Sequence, residues 1–174
     1  MGLASDLSYV LPRPNLVQRS VQAFASTRPG AWIFAHSLAT MDRAATRVTG
    51  GRTSVPRLMA GLPVLVLTST GRRSGQPRET FLIAVPIDDT LALLGTNFGQ
   101  PGTPAWVLNL EAEPRASITH DSVTRAVVAR AATEDERAQI LAASAKVYGG
   151  YLKYQQRIHG RRLRIFVLEG DHPQ

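Results

Sequence analysis

The spacing of apolar residues changes character along the chain. Up to about residue 48 they recur at helical intervals; from about residue 63 they come in short runs broken by turns. From Pro14 to Thr27, the residues Leu16, Val17, Val21 and Phe24 predict a first helix with Pro14 near its start, ended by Arg28-Pro29-Gly30. Ala31 to Val48 reads as a second helix, with Trp32, Ile33, Phe34, Leu38 and Met41 on its apolar side. The Trp32–Phe34 cluster suits docking on a core, and lying on a membrane surface is its other reading. Residues 1–13 read as an irregular leader, and Thr49-Gly-Gly-Arg-Thr-Ser54 as a linker.

Beyond the linker the pattern predicts strands. Pro63 to Thr70 is a run rich in β-branched residues, and Glu79 to Pro86 reads as its hairpin partner. Asp88-Asp89 makes a turn into a third strand, Thr90 to Thr96. Thr103-Pro104 opens a helix through Leu110, with Thr103 as N-cap and Pro104 at the first helical position; Glu113-Pro114 closes it. Arg115–His120 and Val123–Ala131 flank an Asp121-Ser122 turn as a second hairpin. Thr133 and Glu136 form a capping box for a helix with Leu141, Ala145 and Tyr148 on one side. Gly149-Gly150 interrupts that helix, Tyr151–Arg157 continues it, and Arg162–Glu169 is a last strand. Strands outnumber helices and short turns join them, so the expected fold is mainly β with helices. An antiparallel sheet or small barrel over residues 56–174 would be packed against a helical segment, residues 1–55, and the C-terminal helices.

Composition narrows the function. With 174 residues the chain is long enough for one domain with a core of its own. The absence of cysteine removes disulfides, thiolate nucleophiles and cysteine metal sites. A net charge of +7, carried almost wholly by arginine, favours acidic partners: nucleic acid, anionic lipid, or a phosphorylated or carboxylated small molecule. The arginines are spread from Arg13 to Arg164 with no basic block, which speaks against a nucleic-acid-binding tail. No apolar run approaches the ~18 residues that span a bilayer, and the N-terminus lacks a signal-peptide pattern. The expected location is cytoplasmic.

The stretch Gly71-Arg-Arg-Ser-Gly-Gln-Pro-Arg78, between the first two strands, joins two glycines to three arginines. Glycines let backbone approach a ligand, and amides beside guanidinium groups cradle phosphate or carboxylate. An ordinary basic turn is the plainer reading. Asn97-Phe-Gly-Gln-Pro-Gly102 feeds the Thr103 helix start, a second place for an anion, although capping alone explains it. His36, His120, His159 and His172 show no metal-ligand spacing; Asp88-Asp89 and Glu134–Glu136 fit turn and capping roles; no Gly-x-Ser-x-Gly elbow is present. Gly95-Thr-Asn-Phe-Gly99 lacks dinucleotide-fold spacing. Two anion-friendly loops without a catalytic side chain suit an enzyme whose cofactor does the chemistry. Tyr148, Tyr151 and Tyr154, spaced by three, either line an apolar substrate pocket and donate a proton, or form a core-facing aromatic seam.

Taken together, Leu67-Thr-Ser-Thr-Gly-Arg-Arg-Ser-Gly-Gln-Pro-Arg78, Thr103-Pro-Ala-Trp-Val-Leu-Asn-Leu110, Glu113-Pro114 and the tyrosine series resemble the deazaflavin-dependent nitroreductase and quinone reductase family. The likeness covers about residues 60 to 169. It implies a split β-barrel oxidoreductase using coenzyme F420, whose tail carries a phosphate and a run of carboxylates. By the resemblance, Val66, Leu67 and Thr68 with Arg72, Arg73, Ser74, Gly75, Gln76, Pro77 and Arg78 would hold the cofactor and its tail. Leu94, Gly95, Thr96, Asn97 and Phe98 would line its ring; Ala105, Trp106, Val107, Leu108 and Asn109 would add contacts at the helix start. Tyr148, Tyr151 and Tyr154 would face an electron acceptor, a quinone-like or other conjugated, electron-poor small molecule, and supply a proton. A barrel of this type implies pairing into a homodimer, and membrane quinones imply peripheral membrane contact through the N-terminal helices. Three departures stand out: Arg72-Arg73 where Arg-Lys is common, Arg157 where the nitroreductase prototype has tryptophan, and Phe98 at a loop position usually small or basic. A flavin mononucleotide-binding split barrel is the other oxidoreductase reading. A non-catalytic carrier or basic nucleic-acid-binding module is the reading from another class.

Overall fold

In the computed structural model, which describes residues 2–11, 15–32 and 61–171, seven antiparallel strands form a single sheet. They are β1 (Leu65–Thr70), β2 (Pro77–Leu82), β3 (Val85–Ile87), β4 (Thr90–Leu94), β5 (Arg115–His120), β6 (Val123–Ala131) and β7 (Ile165–Gly170). The helices are α1 (Leu3–Asp6), α2 (Leu16–Ala25), α3 (Ala105–Ala112), α4 (Glu134–Val147) and α5 (Gly150–Arg157), with a 3₁₀ turn at Asn97–Gly99.

The strand order β2-β1-β5-β6-β7-β4-β3 places β2 and β3 at opposite ends of the sheet. Only Ile83 and Ala84 separate them in the chain. Laid flat, seven strands about 4.8 Å apart would put those ends roughly 29 Å from one another. A two-residue link spans no more than about 11 Å. The sheet therefore curls until its edges meet, which makes the antiparallel split barrel the sequence implied. It also corrects the single expected strand over Glu79–Pro86. The upper part pairs with β1, Leu82 opposite Leu65; after the break, Val85 pairs with Ala92 of β4. The break comes where the Ala84 amide donates to the Tyr9 hydroxyl instead of to a strand.

Alternation along β1 puts Leu65, Leu67 and Ser69 inside and turns Val66 and Thr68 outward, half-buried. Leu65, Leu67, Leu91, Leu93, Ile118, Val127 and Leu168 are fully buried and fill the barrel. A second apolar cluster, including Ala92, Leu94, Ile140, Ile165, Val167 and the three tyrosines, lies under α4 and α5. Burial on that scale, about 25 cal/mol per Å² of apolar surface, is what holds the sheet closed.

The N-terminal residues differ from the expected irregular leader. Leu3, Leu7 and Tyr9 belong to the barrel core. The Tyr9 hydroxyl donates to the Pro63 carbonyl at 2.7 Å and accepts from the Ala84 amide at 2.9 Å. Asp89, in the β3–β4 turn, caps α1 from outside: its carboxylate accepts from the amides of Gly2 and Ser5 and from the Ser5 hydroxyl. Those bonds, Ser5's first, lower its pKa.

Asn15 and Gln18 close a reciprocal capping box on α2, which buries none of its residues. Residues 28–32 are again helical. Pro14, the rest of the expected second helix with Ile33, Phe34, Leu38 and Met41, and the 49–54 linker lie outside the described residues. Pro104, not Thr103, is the N-cap of α3, and no side chain caps it. The Thr133–Glu136 capping box on α4 is present as expected, although Ile140 and Ser144, rather than Leu141 and Ala145, form its buried side. β7 begins at Ile165, later than expected; just before it the Leu163 carbonyl accepts from the Arg137 side chain and the Arg164 carbonyl from the Gly95 amide.

Candidate functional site

Antiparallel pairing runs unbroken from β1 through β5, β6 and β7 to β4, so β1 and β4 point the same way. Both empty at one end of the barrel. That end gathers the arginine loop after β1, the glycine-containing loop after β4, the start of α3 and the approach to β7.

The arginine loop is knotted on itself. The Gly71 amide donates to the Gln76 carbonyl at 2.8 Å, and the Ser74 and Gly75 amides donate back to the Gly71 carbonyl. Gly75 takes φ +64°, and a side chain there would meet nothing within 4 Å; the loop's outer face is open. Arg72, Arg73 and Arg78 are exposed. Among the described residues neither Arg72 nor Arg73 has an acidic partner, while Arg78 reaches only the Ser74 hydroxyl, at 3.3 Å. Uncompensated guanidinium groups beside open backbone suit an anionic ligand.

The second loop is held by a residue that the spacing of motifs did not single out. Arg161 donates to the carbonyls of Gly95 (3.0 Å), Thr96 (3.0 Å) and Gln100 (3.2 Å). Only its place among scattered arginines was visible in the sequence. Gly95 sits so close to α3 that a Cβ would lie 2.8 Å from Val107 Cγ2, and its amide donates to the Arg164 carbonyl. Asn97 and Phe98 take φ values of +49° and +54°, a strained conformation for non-glycine residues, with Asn97 Nδ2 held by the Gly102 carbonyl. The Phe98 ring stands edge-on to Tyr154 at 5.9 Å.

The residues expected to hold a cofactor divide by orientation. Leu67, Leu94, Trp106 and Val107 are buried in the apolar clusters, Trp106 against Phe166, so their side chains face away from solvent. Gly95 and Thr96 are buried in the loop backbone. Val66, Thr68, Asn97, Phe98 and Leu108 are half-buried, and Ala105, Ser74, Gln76 and Pro77 are exposed. Asn109 is buried and bonds the Arg72 amide and Ser69.

The tyrosines come together although Tyr148 caps α4 and the other two belong to α5. Their rings stand 5.7–5.9 Å from that of Tyr148. Every hydroxyl is engaged inside the molecule. Tyr151 donates to the Ile83 carbonyl at 2.8 Å, Tyr154 to Ala25 at 2.7 Å, and Tyr148 to Gln22 at 3.3 Å. Burial pushes all three pKa values up, so these hydroxyls stay protonated and act as donors. Among the described residues no cluster of histidine and carboxylates could hold a metal, and no helix is long and apolar enough to cross a membrane.

Fold and geometry together define a class: a split-barrel protein with an exposed arginine loop at one barrel end and an aromatic cluster that meets the second loop at Phe98. The family model described as F420H(2)-dependent quinone reductase matches residues 39–170, and the chain belongs to that family. The F420H(2)-dependent quinone reductase of Mycobacterium tuberculosis (strain ATCC 25618 / H37Rv) is 32% identical over 90 residues, a match that spans 50% of this chain and 60% of that protein's length. A solved F420-H2 dependent reductase, FDR-A, is 27% identical, with a TM-score of 0.56 over 62% of this chain and 94% of that one. A further structure, described as a domain-swapped dimer, is 25% identical, with a TM-score of 0.58 over 81% of this chain and 99% of that one.

Proposed function

We propose that this protein is a reductase that takes hydride from reduced coenzyme F420 and delivers it to a quinone-like or other conjugated, electron-poor small molecule. The observation that carries the reading is the arginine loop, open on its outer face, with Arg72 and Arg73 lacking acidic partners among the described residues. The F420 tail, with its phosphate and carboxylates, is the anion such a loop fits. When bound, reduced F420 supplies the hydride from its central ring.

The chain's own residues supply position and a dry surface. Arg72, Arg73 and Arg78 hold the tail. The outward faces of Val66 and Thr68, with Asn97, Phe98, Ala105 and Leu108, line the ring, and Arg161 keeps the 95–100 loop in shape for it. Tyr148, Tyr151 and Tyr154 sit on the acceptor side as protonated donors. Since Tyr148 and Tyr154 now bond carbonyls of α2, and Tyr151 that of Ile83, the last turn of α2 and the β2–β3 link must shift for the three to meet an acceptor. The domain-swapped neighbour supports a homodimer, to be read from sedimentation. The exposed Leu16, Val17 and Phe24 of α2 support peripheral contact with a lipid surface, to be read from vesicle flotation.

Fluorescence titration with F420 and, in parallel, flavin mononucleotide tests the cofactor. Saturable, salt-sensitive F420 binding is expected, followed by quinone-dependent oxidation of the reduced form. Replacing Arg72 and Arg73 together by alanine should weaken F420 binding by about two orders of magnitude, two charge-assisted contacts being lost. The melting temperature should not move, because both side chains are exposed. Binding of the flavin alone would leave the fold standing and overturn the cofactor.

A further inference from the structure

Asn109 is the only polar residue among the buried positions of α3, 6% exposed among Trp106, Val107 and Leu110. Its Oδ1 accepts from the Arg72 amide at 3.1 Å, and its Nδ2 donates to Ser69 Oγ at 3.3 Å. Ser69 and Arg72 bracket the point where β1 becomes the arginine loop. Past that point the loop's hydrogen bonds are internal, between Gly71, Ser74, Gly75, Gln76 and Arg78. Residues 72–79 are all exposed, so no buried apolar side chain sets the angle of the loop. Among the described residues, the Asn109–Arg72 bond is the loop's only hydrogen bond to an element outside its own hairpin.

We propose that Asn109 is a positioning residue for the arginine loop. It fixes the backbone where Arg72 enters, and so the placement of the guanidinium groups on the cofactor's anionic tail, without itself touching the cofactor. This rests on the F420 reading above. A loop tied at its root has less freedom to lose on binding; untied, it loses that freedom when the tail binds, and affinity falls. The effect belongs to the tail alone, because the ring is lined by other residues.

The test compares two ligands on the full-length protein: F420, and the deazaflavin headgroup with ribityl chain but no phosphate or carboxylates. Asn109→Ala should weaken F420 about tenfold and leave the tail-less ligand within about twofold. Ser69→Ala, which spares the Arg72 bond, should weaken F420 less. Amide hydrogen exchange gives a readout free of cofactor: Arg72 should lose protection in Asn109→Ala and regain it in Asn109→Asp, whose carboxylate still accepts from the amide. Equal losses for both ligands would show that Asn109 serves the ring or the whole fold and would overturn the proposal. So would unchanged Arg72 protection in a folded Asn109→Ala protein. A wild type that binds neither ligand would instead sink the F420 reading, and the positioning role with it.

Discussion

Arg161 shows how much one side chain can organise. Its planar fork reaches three carbonyls around the 3₁₀ turn, of which Thr96 also accepts from the Gly99 amide, a geometry lysine cannot reproduce. Burial lowers its pKa, with neighbouring Arg164 adding to the effect. Replacing Arg161 by methionine should cost about 3 kcal/mol in urea unfolding, since the Gly95 and Gln100 carbonyls would lose this donor while Thr96 keeps the Gly99 amide. Lysine should recover little of it. Glu136 contributes to the pH dependence. Hydrogen bonds from Arg130, at 2.6 and 2.8 Å, and from the Thr133 amide lower its carboxyl pKa from 4.5 to about 2. A group depressed on folding stabilises above its unfolded pKa and loses that contribution as pH falls toward its folded one. Stability should therefore fall between about pH 4.5 and pH 2, and Glu136→Gln should flatten that part of an acid-unfolding curve. The pair is partly exposed, which keeps the size of the effect modest.

At the scale of elements, α2 is held in an unusual way. It buries none of its residues and leaves Leu16, Val17 and Phe24 on the surface. Its first turn lies against Gly61 through Gln18, and a set of polar ties holds its C-terminal end. Tyr148 and Tyr154 bond the carbonyls of Gln22 and Ala25, Arg157 donates to the Ser26 carbonyl at 2.7 Å, and Lys153 to Ser26 Oγ at 3.0 Å. The Gln22 carbonyl already accepts from the Ser26 amide, and Tyr148 adds a second donor; the Ala25 carbonyl, past the reach of the helix's own amides, takes its donor from Tyr154. Tyr154→Phe removes one of these ties without changing the ring. Amide exchange over residues 16–26 should rise about fivefold or more, from the loss of roughly 1 kcal/mol, while β5 and β6 stay protected. Unchanged exchange would mean that α2 is held by something else. The β5–β6 hairpin was legible down to its end residues, because an alternating pattern on each side of Asp121-Ser122 is a local signal. The broken β2–β3 strand was not. Glu79 to Pro86 reads as one apolar run, and its interruption depends on Tyr9, some seventy residues away in sequence.

For the whole molecule, that same tyrosine adds a polar tie at the seam of the barrel. Tyr9 meets both Pro63, before β1, and Ala84, between β2 and β3, and so joins the two edges of the curled sheet to the N-terminus. Tyr9→Phe leaves the Ala84 amide without its acceptor in a buried place. It should destabilise by about 2 kcal/mol, or roughly 4–8 °C in melting temperature for a chain of this size. Circular dichroism on heating would measure it, and no change would mean that the edges close without Tyr9. Apolar alternation, turn residues and capping chemistry dictate most of the elements locally, and the motif of two glycines and three arginines singles out the 71–78 loop. Those signals act within a few residues, so they can be read in order along the chain. Which strands meet, which side chains face inward and what holds each loop are decided by contacts between distant residues. Leu67 and Trp106 are turned into the core, Asn109 and Arg161 become the holders of the two loops, and the tyrosine hydroxyls find carbonyls of α2, only because the sheet curls until its ends touch.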